Sequence, residues 1–507
     1  FFPLQNRGGA SLLQLVPGES LVQDAVGLSW WGGYALSPFP IMSIPDEQGS
    51  RWVLDPIQFF QRALQLQPFP IPETTTRYGR RLMLVHVDGD GFPSRVEFAD
   101  ASAKIEYAGE MLLDDILGHY TIPTTVSIIE GEIGGAGLYP KLSKRLEHAS
   151  KSIFALPHVE IASHSYSHPF AWQPAYTQGV KQPQLPIPGY TFTPDRLVRE
   201  IKGSVHYIDQ QLAPPNKSTK VFLWTGDCNP STEALRLAYN QGLANMNGGD
   251  TIITKQNNSL TAVAPLGIQK GRYLQVYAPN QNENMYTNLW KGPFYGYQQV
   301  IETFQLTELP RRYKPINIYY HTYSASKKAS LTALHKVYDW ALAQPVNHIF
   351  ASEYVQLVQD FSRMVVTQSK SGWQLLNLET ATEIRVPQSA GYPDLHASQG
   401  VIGYVDHGSE RYVHLDQSRS PFLVLTPDGP TQPFLASTNG DVMKWNRTQD
   451  GIEVSLKGHG SLTSVMGNVT SCEVLQGSSP TQQKIDGSYL MLRFGEGQNE
   501  VVSITCR

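Results

Sequence analysis

The chain has 507 residues, a length that exceeds one ordinary domain and predicts two or three domains. Hydrophobic residues make up 41% of it and charged residues 17%, so a large core can form and a disordered chain is excluded. The net charge of −4 argues against a dedicated nucleic-acid-binding protein, and no apolar run is long enough to predict a membrane span.

Residues 1–75 are rich in Pro and Gly, and we expect them to form an extension that packs on the domain after them. A helix is predicted over 55–66, because Asp55 is a good N-cap residue and Pro56 fits the first helical turn. Three prolines between residues 68 and 72 then predict a stiff connector.

From residue 80 to residue 361, strand-like apolar runs alternate with helical patterns. This alternation favours a mostly parallel sheet or a β/α barrel, in which functional residues gather at the carboxyl ends of the strands. Asp88, His164 and His321 each follow a predicted strand. The predicted strands are 82–87, 122–129, 159–162, 220–224, 316–320 and 348–351, and the predicted helices are 107–118, 140–149, 194–211, 231–242, 328–343 and 353–361.

The pattern changes over residues 368–507, where short alternating stretches are separated by Gly, Asp, Ser and Pro. Such a pattern predicts an all-β sandwich or jelly roll. Cys472 and Cys506 both lie in this region. They could form one disulfide, and two free thiols are the equally open alternative.

The sequence HVDGDGF at residues 86–92 places two carboxylates at the end of a buried strand. An ordinary turn is one interpretation. An EF-hand is excluded, because Phe92 and Ala99 stand where oxygen ligands are needed. A strand followed by Asp-x-Asp-Gly also fits a phosphohydrolase of the haloacid dehalogenase type, with Asp88 as its nucleophile. His86 and Asp88 alone resemble the His-x-Asp ligands of non-haem iron oxygenases.

His164 and His168 are four residues apart and offer two imidazoles to one site. A zincin helix is excluded because Ser165 stands in place of Glu, and Pro169 disfavours a helix at the second histidine. We therefore expect a turn after the strand over 159–162. Two His and one Asp form a facial metal site, which predicts a divalent metal ion with Zn²⁺ as the best match to the donors.

A family resemblance rests on three segments of the sequence. Residues 85–92 and 163–170 resemble the first two motifs of NodB-type polysaccharide deacetylases, which belong to carbohydrate esterase family four. The Asp-Gly-Asp-Gly form, in place of an adjacent Asp pair, resembles the PelA-type deacetylases of biofilm formation. Residues 316–323 resemble the last motif, an apolar strand that ends in His. The resemblance covers residues 20–365.

The resemblance implies a distorted (β/α) barrel of the polysaccharide deacetylase type over residues 76–367. It implies removal of N-acetyl groups from an N-acetylhexosamine polymer, the Pel exopolysaccharide that contains N-acetylgalactosamine. Asp90, His164 and His168 are then expected to hold the metal, with Asp88 as the general base and His321 as the general acid. It also implies a periplasmic or secreted protein of a Gram-negative bacterium, acting with other exopolysaccharide export proteins, whose C-terminal region binds carbohydrate or supports the catalytic domain.

The sequence departs from the family at one important position. Trp224 stands where the third motif has an Arg that holds the catalytic Asp, so another group must hold Asp88. Asp227 either orients His321 or is an ordinary turn residue. Two other functions remain open: the phosphohydrolase, and a glycan-binding protein without catalysis. The expected substrate-binding residues are Trp224, Asp227, Trp290 and Tyr320.

Overall fold

The computed structural model describes residues 6, 8–16, 22–44, 49–98, 105–173, 184–448, 451–496 and 501–507. Its N-terminal part contains a three-stranded antiparallel sheet, a hairpin and one helix. The Asp55 carboxylate accepts from the backbone N–H groups of Ile57 and Gln58, which confirms the predicted N-cap. The elements are β1 (Ala10–Leu15), β2 (Gln23–Ser29), β3 (Gly32–Ala35), β4 (Ile41–Ile44), β5 (Gly49–Trp52) and α1 (Pro56–Ala63).

The middle of the chain alternates strands with helices. Its strands are β6 (Ile71–Pro72), β7 (Thr76–Arg77), β8 (Arg80–Asp88), β9 (Thr124–Ile128), β10 (Val159–Ser163), β11 (Val221–Leu223), β12 (Ala244–Met246), β13 (Gly267–Lys270), β14 (Tyr273–Val276), β15 (Ile316–His321) and β16 (Val346–His348). Its α-helices are α2 (Ala108–Met111), α3 (Glu130–Ile133), α4 (Ser143–Ala155), α5 (Ser204–Tyr207), α6 (Thr232–Asn240), α7 (Glu283–Tyr286), α8 (Val300–Leu306), α9 (Lys328–Leu342) and α10 (Ala351–Arg363).

The central sheet is parallel and curled like half of a barrel. Its strand order is β12-β11-β10-β9-β8-β15, with β16 also parallel to β8 and the short β7 antiparallel to it. Within the described residues the sheet does not close, because its edge strands β12 and β15 do not pair. The protein is therefore a mixed α/β structure with an open sheet.

The predicted elements of this region are largely confirmed. All six predicted strands are present, although the last covers Val346–His348 instead of 348–351. All six helices are present too, and those predicted over 107–118 and 194–211 contain π-helical segments. The strands β12 to β14 and the helices α7 and α8 lie in a stretch for which the sequence pattern predicts none of these elements.

The C-terminal region is made almost entirely of strands. They are β17 (Val365–Gln368), β18 (Trp373–Leu376), β19 (Glu383–Pro387), β20 (Tyr392–Pro393), β21 (Val401–His407), β22 (Glu410–Leu415), β23 (Phe422–Leu423), β24 (Leu425–Thr426), β25 (Phe434–Thr438), β26 (Asp441–Thr448), β27 (Gly451–Lys457), β28 (Ser461–Gly467), β29 (Cys472–Gln476), β30 (Pro480–Asp486), β31 (Tyr489–Glu496) and β32 (Val501–Cys506). An eight-stranded sheet and a four-stranded sheet pack apolar faces together around Leu435, Met466, Val454 and Ile504.

The two halves of the chain also share a core. Leu82 and Leu84 on the central sheet belong to one apolar cluster with Leu375 and Ile384 of the C-terminal strands. The connector strand β6 pairs with β19, so the predicted stiff linker is an edge strand of the C-terminal sheet. Burial of apolar side chains across this boundary holds the C-terminal strands against the central sheet. Across the described residues, no helix has the length and apolar character that crossing a bilayer requires.

Cys472 and Cys506 lie opposite each other on β29 and β32 and form a disulfide, which decides between the two alternatives left open by the sequence. We expect replacement of both by Ser to lower the free energy of unfolding by about 3 kcal/mol, because the bond restricts the unfolded chain. Equilibrium unfolding in urea measures this. Wild type in reductant should match the variant, and an unchanged midpoint in both would contradict the prediction.

Candidate active site

The predicted catalytic residues meet at one edge of the central sheet. Asp88 ends β8 and pairs in register with His321, which ends β15. His164 follows β10, two strands away on the other side of β8. Because parallel strands bring their carboxyl ends to the same edge, these side chains surround one cavity of about 410 Å³.

Three side chains of this cavity form a candidate metal site. Nε2 of His164 lies 3.1 Å from Oδ2 of Asp90, and Nε2 of His168 lies 3.0 Å from Oδ1. Their ligand atoms are all within 4.8 Å of one another. Oδ2 of Asp90 is buried, and its contact with Nε2 of His164 does not have the geometry of a hydrogen bond, so a cation between the two atoms would satisfy both. The donor set therefore fits a divalent metal such as Zn²⁺.

Neighbouring groups set the protonation of these side chains in the way that metal binding requires. Nδ1 of His164 lies 3.0 Å from the carbonyl oxygen of Leu223, and a proton on Nδ1 leaves Nε2 free as a ligand. Burial opposes ionisation of Asp90, but His168 and His321 outweigh it and hold the pKa of Asp90 well below its usual value. Asp90 is thus a carboxylate, as a metal ligand must be.

Two buried glutamates hold the loops that carry the candidate metal ligands. Glu132 accepts from the backbone N–H groups of Gly91 and Phe92, next to Asp90. Glu200 accepts from the backbone of Tyr166 and from both the backbone and the hydroxyl of Ser167, between the two histidines. Neither Glu was predicted, because each lies far from the loop that it holds and the sequence shows no signal for the pairing.

We expect Glu200→Ala to weaken metal affinity by about 10- to 100-fold, because the loop between His164 and His168 loses its three anchoring hydrogen bonds. Competition with a chelating dye measures the affinity. Glu233→Ala, which removes an exposed carboxylate from α6, is the control. Unchanged affinity in a folded Glu200→Ala protein would contradict the prediction.

Asp88 is held differently from Asp90. The hydroxyl of Tyr319 donates to its Oδ2 at 2.8 Å, and the side-chain amide of Asn247 lies 3.2 and 3.1 Å from its two oxygens. Asp88, Asp90 and His321 form a second group of potential ligands. Both oxygens of Asp88 accept hydrogen bonds, whereas Oδ2 of Asp90 accepts none from a described residue, so Asp90 is the carboxylate with an oxygen left for a cation.

His321 lies beside Asp88 and Asp90. Its Nδ1 is 2.9 Å from Glu283, whose other oxygen accepts from the His321 backbone N–H. Its Nε2 lies 3.9 Å from Asp88 and 4.0 Å from Asp90. Burial alone would lower the pKa of His321, but Glu283 and Asp90 raise it to about 10. The imidazole is therefore protonated at neutral pH and able to donate from Nε2.

The predicted substrate-binding residues divide into two groups. Trp224 and Trp290 border the cavity, but the Trp224 side chain is fully buried in an apolar cluster and its indole donates to Asn245, which differs from the prediction of a sugar-binding ring. Trp290 is partly exposed and packs on Tyr323 with 4.4 Å between ring centroids.

Asp227 does not contact the substrate cavity or His321. Its carboxylate accepts from the backbone N–H of Asn229 in a turn, and the partner of His321 is Glu283. The structure therefore supports the interpretation of Asp227 as an ordinary turn residue.

Tyr320 also differs from the prediction. Its hydroxyl is 3.0 Å from that of Tyr338 inside the core, and it lies on the face of β15 turned away from the cavity. Tyr319 faces the cavity instead. Successive side chains of a strand point to opposite faces, so Tyr319, two residues before His321, shares its face.

Comparisons with known proteins leave the family open. No protein-family model matches the chain, and no curated protein matches it. Three of the solved structures that it resembles are PuuE allantoinase, a 4-α-glucanotransferase from Thermococcus litoralis and a GH30 endoxylanase from Clostridium papyrosolvens. The identities are 13%, 8% and 11%, and the TM-scores are 0.35, 0.34 and 0.30. They cover 56%, 84% and 85% of this chain and 93%, 99% and 97% of their own. At TM-scores this low, these likenesses carry no argument about fold or function.

Proposed function

We propose that this protein is a metal-dependent polysaccharide N-deacetylase, with a catalytic domain of the distorted (β/α) barrel type. The observation that carries the proposal is the grouping of Asp90, His164 and His168 in one cavity, with Asp88 and His321 beside them. A facial metal site flanked by a base and an acid is what amide hydrolysis at neutral pH requires. The resemblance of the three sequence segments to NodB-type deacetylases supports the same assignment.

The residues divide the reaction between them. When bound by Asp90, His164 and His168, a Zn²⁺ ion supplies a Lewis acid that activates water and polarises a carbonyl. Asp88 takes the proton that water loses as its oxygen attacks the acetyl carbon. His321 gives a proton from Nε2 to the sugar nitrogen as the C–N bond breaks. The products are a free amine and acetic acid, which loses its proton to solvent as acetate. The proton on Asp88 passes through solvent water to His321, and this transfer restores both groups.

The walls of the cavity suit a sugar that carries an acetamide. Aromatic rings can stack on the apolar face of a sugar ring, and amide side chains can hydrogen-bond its polar groups. The aromatic lining residues include Phe170, Trp290 and Tyr323, and the amides are Asn282 and Asn284.

The substrate that we propose is an N-acetylhexosamine polymer. The Asp-Gly-Asp-Gly form of the first motif favours the Pel polysaccharide with its N-acetylgalactosamine units. A periplasmic or secreted location, partnership with other export proteins, and a glycan-binding or supporting role for residues 368–507 belong to the same proposal. The phosphohydrolase is less well supported, because it gives His164 and His168 no role.

The test is acetate release from N-acetylhexosamine oligomers by metal-loaded protein. We expect Asp88→Asn to keep the metal and lose acetate release, because only the base is removed. Asp90→Asn should lose metal affinity, because a charged ligand is removed. The reverse pattern would exchange the two assignments. Polymer binding without acetate release by wild type would favour a glycan-binding protein, and Mg²⁺-dependent release of phosphate from phosphate esters would favour the phosphohydrolase.

A further inference from the structure

Besides the nearby His321, Asp88 lies against buried, uncharged side chains that come from three strands or strand ends. Asn247 follows β12, Tyr319 lies on β15, and His86 precedes Asp88 on β8. All are buried, and each touches another member of the group. The hydroxyl of Tyr319 and the amide of Asn247 contact Asp88 directly, and the ring of His86 stacks on Tyr319 with 3.8 Å between centroids.

Asn247 occupies the centre of this group. Its Nδ2 faces both Asp88 oxygens and lies 3.0 Å from the carbonyl oxygen of Trp224, while its Oδ1 lies 3.2 Å from Nε2 of His86. An amide can be turned over, which would present oxygen to the carboxylate. The carbonyl oxygen of Trp224 opposes this, because it lies at the same end of the amide as Asp88 and, like the carboxylate, needs a donor. Oδ1 then faces Nε2 of His86, whose Nδ1 lies 3.1 Å from Oδ1 of Asn317.

The backbone forms a turn with positive φ angles at Asn247 and the two residues after it. The φ of Asn247 is +97°, in the positive region that Asn adopts more readily than most residues other than Gly, and Gly248 and Gly249 follow with φ of +90° and +77°. The side-chain amide of Gln275 donates to the Asn247 carbonyl at 3.0 Å and helps to hold the turn.

We propose that Asn247 is a positioning residue for the base Asp88, with the Trp224 carbonyl fixing the orientation of the amide and Tyr319 supplying the second donor. This inference rests on the proposed function. In the related deacetylases an Arg holds the catalytic Asp, and here Trp224 stands in its place. The backbone carbonyl of Trp224 accepts from Asn247, so the altered motif still contacts the group that holds Asp88.

The variant Asn247→Ala removes the donor. We expect kcat for acetate release to fall about 10- to 100-fold, because a base that is out of position raises the activation free energy of the chemical step. KM and metal content should stay within about twofold. Asn247→Asp keeps the size of the side chain and an acceptor for His86 but presents an oxygen to Asp88. It should lose at least as much activity, and it carries the test if the Ala variant fails to fold.

Asn245→Ala is the matched control. Asn245 is also buried, lies two residues earlier on β12 and accepts from the indole of Trp224 without touching Asp88. Its loss should leave kcat within about threefold of wild type. In an Asp88→Asn background the further change Asn247→Ala should cost almost nothing, because the group that it positions is gone.

The measurements distinguish failure of the proposed deacetylase function from failure of the positioning role of Asn247. Wild type that releases no acetate from any N-acetylated polymer overturns the proposed function itself. An active wild type with unchanged kcat in both Asn247 variants overturns only the positioning role. An equal loss from Asn247→Ala with and without Asp88 also overturns it, because the amide would then act independently of the base.

Discussion

Replacing His164 and His168 together with Ala is expected to remove the bound metal and all deacetylation. The two imidazoles supply two of the three ligands, and a single carboxylate such as Asp90 holds a transition metal only weakly in water. Both side chains line the cavity and neither belongs to an apolar core cluster, so the fold should persist. Elemental analysis of the purified protein gives metal per chain, and circular dichroism reports the fold.

The matched control replaces His148 and His206, two exposed histidines on helices of the same domain. This double variant should keep one equivalent of metal and wild-type turnover. The hypothesis of a metal centre fails if the His164 and His168 double variant retains one equivalent of metal and hydrolyses the acetamide normally.

The position of the active site could be predicted from the sequence because the order of elements was readable. Apolar runs of strand length alternate with helical patterns, and Asp88, His164 and His321 each follow such a run. In a parallel sheet these positions meet at one edge whatever the details of packing. The ligand set then follows from residue types, since two His and an Asp match few functions other than metal binding.

The groups that hold these side chains could not be predicted. Glu283 and Asn247 lie in a stretch whose elements are short, and their partners are fixed by the way that stretch folds over the sheet. Nothing local in the sequence marks an amide or a carboxylate as the partner of a side chain in another element. Tyr319 is different, because its spacing of two from His321 places both on one face and could have identified it.

His321 is expected to be the general acid, and its contacts define what that role requires. Burial by itself lowers the pKa of His321. Glu283, which contacts Nδ1, and Asp90 outweigh this effect and raise the pKa to about 10. The protonated form is therefore present below that pKa and is lost as pH rises through it. Replacing Glu283 with Gln should lower the pKa of His321, so the alkaline limb of the kcat profile should move to lower pH.

An amine is a poor leaving group, so the collapsing tetrahedral species must receive a proton from an acid in contact with its nitrogen. We expect His321→Ala to reduce amide hydrolysis by about 10²- to 10⁴-fold with metal content unchanged. An aryl acetate ester, whose phenolate leaves with little protonation, should lose much less activity in the same variant. Comparing the two substrates separates acid catalysis from other roles, because a structural defect or a lost oxyanion contact slows both alike. Equal losses on amide and ester would therefore mean that His321 holds the site together and does not protonate the leaving group.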